Sequence, residues 1–352
     1  MRPRPSIAKL TSQALLLIGV LQLISLIHAM PAAPPDLKSL VAGSDEVLIG
    51  HVTDVREVQV STETINGARI PVKVMDAHVV VEQVFKGERA TEVHVSFLVP
   101  QQPVGYHSIP PDSHRVLFLK KLTGGVMQPS SPYYPSLPVG NLPSPISEQL
   151  ATVDKVLTAV AAVFGPPTSS LGDREEAMWV LHFVDSPIAT QAFRGAASQD
   201  PDPTIRLNAV AELLRRNDLS VLPIAKQVLM NPSSAQISVP WRLEEVEQNL
   251  SSAVAQVRDE RAIPTLSEIL KSSDVRARRG AALALRSTGS PNAEDALLSC
   301  LGDSDFQVRY WGVVGLAEIT GQNEWRPLRE DFKSNEQKYL RHWVEWRKTG
   351  AP

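Results

Sequence analysis

One cysteine, Cys300, stands in 352 residues. A disulfide framework is therefore excluded, and any intramolecular staple must come from packing. A secreted eukaryotic domain of this size usually carries disulfides, so an exported chain without them points to a bacterial envelope. Aromatic residues are scarce at 5%, and all six Trp lie at or after Trp179, which predicts two differently built halves. Beyond the first thirty residues no apolar run reaches the ~20 residues that a membrane span needs. An excess of positive charge is missing too. Lys and Arg number 35 against 38 Asp and Glu, a net charge of −3, and an acidic chain is a poor nucleic-acid binder. What remains, 43% hydrophobic and 21% charged residues, is globular composition with room for two domains.

The N-terminus reads as a targeting segment. Arg2, Arg4 and Lys9 precede the apolar run ALLLIGVLQLISLIHA, residues 14–29. Ile27-His28-Ala29 supplies aliphatic and small residues at −3 and −1, so a signal peptide over 1–29 with cleavage after Ala29 is expected. The alternative is an uncleaved anchor, the one route by which the chain would meet a membrane. No Cys lies near the cleavage point and no twin arginine precedes it. The expected location is the bacterial periplasm or the exterior, with a mature net charge of about −6 once Arg2, Arg4 and Lys9 are gone.

The next stretch has strand chemistry. EVLIGHVTDVREVQV (46–60) and VKVMDAHVVVEQVF (72–85) are β-branched and partly alternating, and Asn66-Gly67 between them suits a type I′ hairpin. VHVSFLV (93–99) and HRVLFLKKL (114–122) supply two more strands, with prolines 100, 103, 110 and 111 in the connecting loop. Such strands with Gly/Pro turns predict a small, closed or nearly closed antiparallel β-barrel over 37–140. The segments VLIGHVTDV, VVVEQVFKGE, VHVSF and RVLFLKKLTGG resemble the bacterial relatives of the netrin and metalloproteinase-inhibitor module, which implies an OB-like barrel. In the animal inhibitors an N-terminal Cys chelates the protease zinc. No such Cys exists here, so that activity is not implied.

Five of eight histidines fall in this half: His51, His78, His94, His107 and His114. Asp76, His78 and Glu82 share parity on one strand and hence one face. They read either as a metal site or as the solvated face of a strand whose Met75, Ala77, Val79 and Val81 face the core. No HxH or HxxxH ligand pair stands out, and no nucleophile elbow supports a hydrolase triad. The expectation is no metal, no cofactor and no catalytic residue. A metal-binding or hydrolytic envelope protein using these histidines is the rival reading.

Residues 141–169 read as a Pro-rich linker and a connecting helix. Six prolines fall within 129–145, a stiff, extended composition. Leu150, Val153, Leu157, Val160 and Phe164 then form one apolar stripe of a helix over 147–164, expected to pack on the following domain.

From residue 170 onward the chain repeats. Asp274-x-x-Ala277-Arg278 precedes Ala281, Ala282, Ala284 and Leu285; Asp305-x-x-Val308-Arg309 precedes Gly312, Val313, Gly315 and Leu316; Asp202-x-x-Ile205-Arg206 precedes Ala209, Val210 and Leu213. Ser238-x-x-Trp241-Arg242 and Ser170-x-x-Asp173-Arg174 are weaker copies, giving spacings of 32, 36, 36 and 31. Asp or Ser is the expected N-cap of each second helix. The residues at +3, +7, +8 and +11 face the core. Arg at +4 opposes the helix dipole, so its recurrence predicts a carboxylate partner on the neighbouring repeat. In the first helices Cys300 occupies an Ile-equivalent core position, a buried thiol rather than a nucleophile. The pattern resembles the short bacterial HEAT repeats over about 170–320, which implies an α-solenoid, here of about five helix pairs over 170–352.

Arg206, Arg242, Arg278 and Arg309 belong to this ladder, with Asp202, Asp274 and Asp305 as caps. Arg276, Arg279 and Arg286 fall off the core face. They are expected to be exposed and form the candidate partner patch; residues 171–352 hold 22 Lys and Arg against 25 Asp and Glu, which argues against nucleic acid. Tyr339, Trp343 and Trp346 recur at helical spacing and suit a cap on the last repeat. The expected fold is thus multidomain α and β, a small barrel followed by a HEAT-type solenoid. The expected function is non-catalytic protein recognition or scaffolding, since solenoids present extended concave surfaces.

Overall fold

The computed structural model describes residues 36–65, 67–101, 107–166 and 169–349. The targeting segment, residues 1–29, lies outside the described residues. The chain divides into two compact units, one ending at Val163 and the other beginning at Phe164.

The first unit opens with α1 (Leu37–Gly43), capped by Asp36, whose carboxylate accepts from the Lys38 N–H at 3.1 Å. Strands β1 (Glu46–Ile65), β2 (Ala68–Lys86), β3 (Glu92–Pro100), β4 (Ser113–Lys121), β5 (Met127–Pro129) and β6 (Ser136–Pro138) form one largely antiparallel sheet. Ile65 pairs with Ala68 across a two-residue loop in which Gly67 has φ +81°, the backbone that an Asn-Gly hairpin requires. β1 pairs with both β2 and β4, β2 with β3, and β4 with β5 and β6. β3 and β5 meet at one parallel pair, Val95 and Met127. The pairings run round a ring that a single bridge closes. The three-residue β5 cannot supply a longer ladder, so the sheet curls on itself without becoming a fully laddered barrel.

Leu48, Val52, Ala77, Val79, Val95, Phe97, Leu117 and Leu119 form the inner cluster. The predicted parity holds on β2: Ala77 and Val79 are buried while Asp76, His78 and Glu82 lie on the opposite face. Register shifts in β1 at four points bend that strand, as bulges do, and let one strand serve two partners.

Two expectations for the connection change. The helix is shorter, α2 (Thr152–Ala161), and Leu150 lies outside it and exposed. It packs on α1, β2, β4 and β6 of the first unit, burying Val156, Leu157, Ala159 and Val160. Its reason is a close approach: a Cβ on Gly140 would lie 1.9 Å from the Ala162 carbonyl carbon. The Pro-rich segment is likewise tied down. β6 lies within it, and the Gln83 carboxamide donates to the Ile146 carbonyl at 2.6 Å and accepts from its N–H at 3.0 Å.

The second unit is helical. Its elements are α3 (Leu171–His182), α4 (Pro187–Gln199), α5 (Pro203–Arg215), α6 (Leu222–Met230), α7 (Pro240–Val254), α8 (Ile263–Ile269), α9 (Val275–Thr288), α10 (Glu294–Cys300), α11 (Phe306–Thr320) and α12 (Arg329–Thr349), the last kinked at Asn335. α4–α5, α6–α7, α8–α9 and α10–α11 are the pairs, and the second helices stack α5 on α7 on α9 on α11. That is four pairs with α3 standing alone before them, rather than five. The helix that would have partnered α3, α2, belongs to the sheet.

Small residues set the stacking distance. A Cβ on Gly280 would sit 2.5 Å from the Ser251 carbonyl oxygen, so α9 approaches α7 to the backbone. Asp202 accepts from the N–H groups of Thr204 and Ile205, Asp274 from Arg276, and Asp305 from Gln307 and Val308. Ser170 accepts from Asp173. At the far end Phe332 and Trp343 of α12 are fully buried, with Phe332 against Phe306 and Tyr310 of α11 at 5.3 and 5.6 Å. α12 thus covers the outer face of α11 with aromatic side chains.

Candidate functional site

The ladder arginines share one construction. Arg206 Nη1 donates to the carbonyls of Asp200 and Pro201, Arg278 Nη1 to Ser272 and Ser273, and Arg309 Nη1 to Asp303 and Ser304. Each guanidinium thus ties off its own loop, six and five residues back. Arg278 then reaches Asp303 at 2.8 Å and Arg309 reaches Glu336 at 2.5 Å, both across to the next structural layer. Arg174, in the weakest copy, is the most buried, 3.2 Å from Asp200. Burial of Asp200 raises its pKa, outweighing the Asp202 N–H and the Arg174 charge.

The extra arginines are engaged as well. Arg276 lies 3.2 Å from Glu244 and 3.3 Å from its own cap Asp274. Arg279 grips the next cap, Asp305, with two bonds at 2.9 and 2.7 Å. Arg276 and Arg286 do not fit the expected exposed face, since both are half-buried. Arg286 holds Glu318 with two bonds at 2.8 Å and lies 4.8 Å from the Trp311 ring centre. The reason is stacking: position 286 faces α11, where Trp311 and Glu318 meet it. In SDVRARRGAALALRSTG each of the four arginines thus holds a carboxylate.

On the sheet the histidines pair across strands. His51 and His114 stack at 4.7 Å, bonded to Asp112 and Glu82; His78 and His94 lie 5.0 Å apart, bonded to Glu92 and Asp76. His107 stacks on Tyr134 at 5.7 Å. Among the described residues no group of three or more His, Cys, Asp or Glu is arranged to hold a metal ion. Cys300 is 2% exposed, and burial pushes its thiol up to about 12.

A concavity of about 740 Å³ lies elsewhere, on the second helices α3, α5 and α7. α5 is its floor. There His182 Nδ1 meets Glu212 at 2.7 Å, Arg215 bonds both Glu212 and Asn249, and Asn249 donates to Asn208 at 2.8 Å. This chain of polar groups crosses all three helices and satisfies the buried Glu212. The walls carry exposed aromatics: Trp179 on α3 at 37% and Trp241 on α7 at 62%. Arg242 reaches Glu175 at 3.4 Å, from α7 to α3.

Trp241 and Arg242 correct the sequence reading. Ser238 was the expected cap, with Trp241 at core position +3. The helix instead starts at Pro240, and its N-cap is Val239 with no side-chain bond. Proline has no N–H and fits the first helical position, so the register moves on by one residue. Val246 and Leu250 take the core places, Trp241 turns outward, and Arg242 leaves the ladder for Glu175. Pro240 was the available signal.

The fold and this groove define a class, an α-solenoid of stacked helix pairs attached to a small β-sheet unit. The family profile described as HEAT repeats matches residues 243–317 and 263–346, so HEAT repeats are present in the second unit. No curated protein matches the chain. Among the described residues no helix is long and apolar enough to cross a membrane.

Proposed function

We propose that this is an exported, non-catalytic interaction protein of a bacterial envelope that holds a protein partner in the α3–α5–α7 groove. HEAT repeats commonly work as recognition surfaces. The observation that carries the groove is Trp241, an indole 62% exposed on a wall of the α3–α5–α7 concavity. Large aromatics are the side chains on which interface energy concentrates. The floor is already satisfied internally, so it is pre-organised rather than collapsing on an absent ligand. The β unit is read as an OB-like module of the netrin type. Its support is the pairing order, β1 to β2 to β3 to β5 to β4 and back to β1, which is that of a five-stranded, partly open barrel.

The test is affinity capture from the native envelope with wild type and Trp241→Ala. A partner retained by the first and lost by the second is expected. Equal capture would remove the groove from the account. Stoichiometric zinc or copper in the purified protein would favour the rival reading through the sheet histidines.

A further inference from the structure

We infer that the groove's partner is an extended peptide segment that inserts a lysine or arginine side chain beside Trp241 and Trp179, with Glu245 as its counter-charge. This rests on the groove being the partner surface.

The basic side chains lining the groove all have carboxylates: Arg215 and His182 share Glu212, and Arg242 has Glu175. Arg174, which opens α3, is buried against Asp200. Glu245 is different. It is exposed, lines the groove one helical turn from Trp241, and has no partner among the described residues.

An open carboxylate beside exposed indole faces selects a cation. The ring quadrupole attracts ammonium and guanidinium groups, and the carboxylate completes the charge. The groove already shows the geometry on itself, since the Arg242 guanidinium carbon lies 5.3 Å from the Trp241 ring centre. An anionic or neutral side chain would leave Glu245 uncompensated. The site also has means to hold a peptide backbone. Gln248 is exposed in the groove, and Asn208 spends its side-chain oxygen on Asn249 while its NH₂ has no partner among the described residues. A segment rather than a free amine therefore fits best.

The test is fluorescence anisotropy of the full chain with labelled peptides alternating Ala with Arg, Lys, Gln or Glu, and spermidine as competitor. The Arg and Lys peptides should bind at least about tenfold more tightly than the Gln peptide, a factor that a cation–π contact and one counter-charge can supply. The Glu peptide should not bind. Glu245→Gln and Trp241→Ala should each remove most of that preference, whereas Lys271→Ala should leave it intact. Both groove residues are exposed, so the variants should keep the wild-type circular dichroism. Equal binding of the Gln or Glu peptide, no peptide binding, an unaffected Glu245→Gln variant, or spermidine binding as tightly as the peptides would each overturn the inference. If a partner is still lost with Trp241→Ala while no basic peptide binds, the groove stands and only the partner's chemistry is wrong.

Discussion

Arg278 Nε lies 2.8 Å from Asp303 while its Nη1 holds the carbonyls of Ser272 and Ser273. One side chain thus fastens its own loop and the next one. Arg309 repeats the arrangement with Glu336 and the carbonyls of Asp303 and Ser304.

The cost of losing it should exceed that of losing a neighbouring arginine whose partner on the next helix is exposed. Hydrogen bonds to charged groups contribute about 1.5–3 kcal/mol, more when the partner is left buried. Arg278→Ala and Arg309→Ala should each lose about that much in chemical denaturation. Arg276→Ala removes a pair whose Glu244 is 68% exposed, where about 0–1 kcal/mol is typical. Equal losses would show that the loop ties contribute nothing beyond an exposed pair.

The acid side of the stability curve should depend on α9–α11. The two Arg279 hydrogen bonds hold the Asp305 carboxyl below its ordinary value. For Glu318 burial works upward, but the Arg286 bonds and charge outweigh it and the pKa is lowered. Both groups bind protons more readily unfolded, so their stabilisation is full above the ordinary carboxylate values and lost as pH falls through the depressed ones. Asp200, raised by burial, works in the opposite sense. Asp305→Asn should therefore lose less stability than wild type between neutral pH and about pH 3, read by urea midpoints. Parallel curves would contradict the assignment.

Cys300 should behave as a core atom. A thiol raised to about 12 and 2% exposed offers almost no thiolate at neutral pH. A thiol-specific disulfide reagent should react fully in denaturant and very slowly with the native protein. The same shift predicts that its contribution is present below the ordinary thiol value and declines as pH rises toward 12. Rapid native labelling would mean that α10 opens or packs differently.

Much of this architecture can be read from the chain, for local reasons. Asn66-Gly67 marks the hairpin, and the caps Asp202, Asp274 and Asp305 mark three helix starts, because each effect is decided within a few residues. Arg278 and Arg309 reveal partners because their recurrence opposes the helix dipole. Long-range choices are less legible. The stripe on α2 says that the helix buries a face but not that β2, β4 and β6 cover it. Arg286 reads as surface until Trp311 and Glu318 of α11 are brought beside it. The groove was hidden by a one-residue shift, in which Pro240 displaced Ser238 as the start signal and turned Trp241 outward.

Two glycines of the helical unit should respond oppositely to alanine. At Gly280 the new methyl meets the Ser251 carbonyl at 2.5 Å, and overpacking costs about 1–3 kcal/mol. At Gly195 in α4 nothing lies within 4 Å, so Gly195→Ala should stabilise by about 0.4–1 kcal/mol through helix propensity and unfolded-chain entropy. Thermal or chemical denaturation of the two variants checks the stacking distance between α7 and α9. A neutral Gly280→Ala would mean that the helices stand further apart.

The groove itself is tested most directly by placing a photo-cross-linking amino acid at Ser252, exposed in the groove, in the native host, with a second variant carrying it at the exposed Lys271. A discrete protein adduct is expected at 252, absent at 271, and suppressed by Glu245→Gln in the same chain. Cross-linking that is equal at the two positions, or no adduct at 252, would contradict the groove as the partner surface.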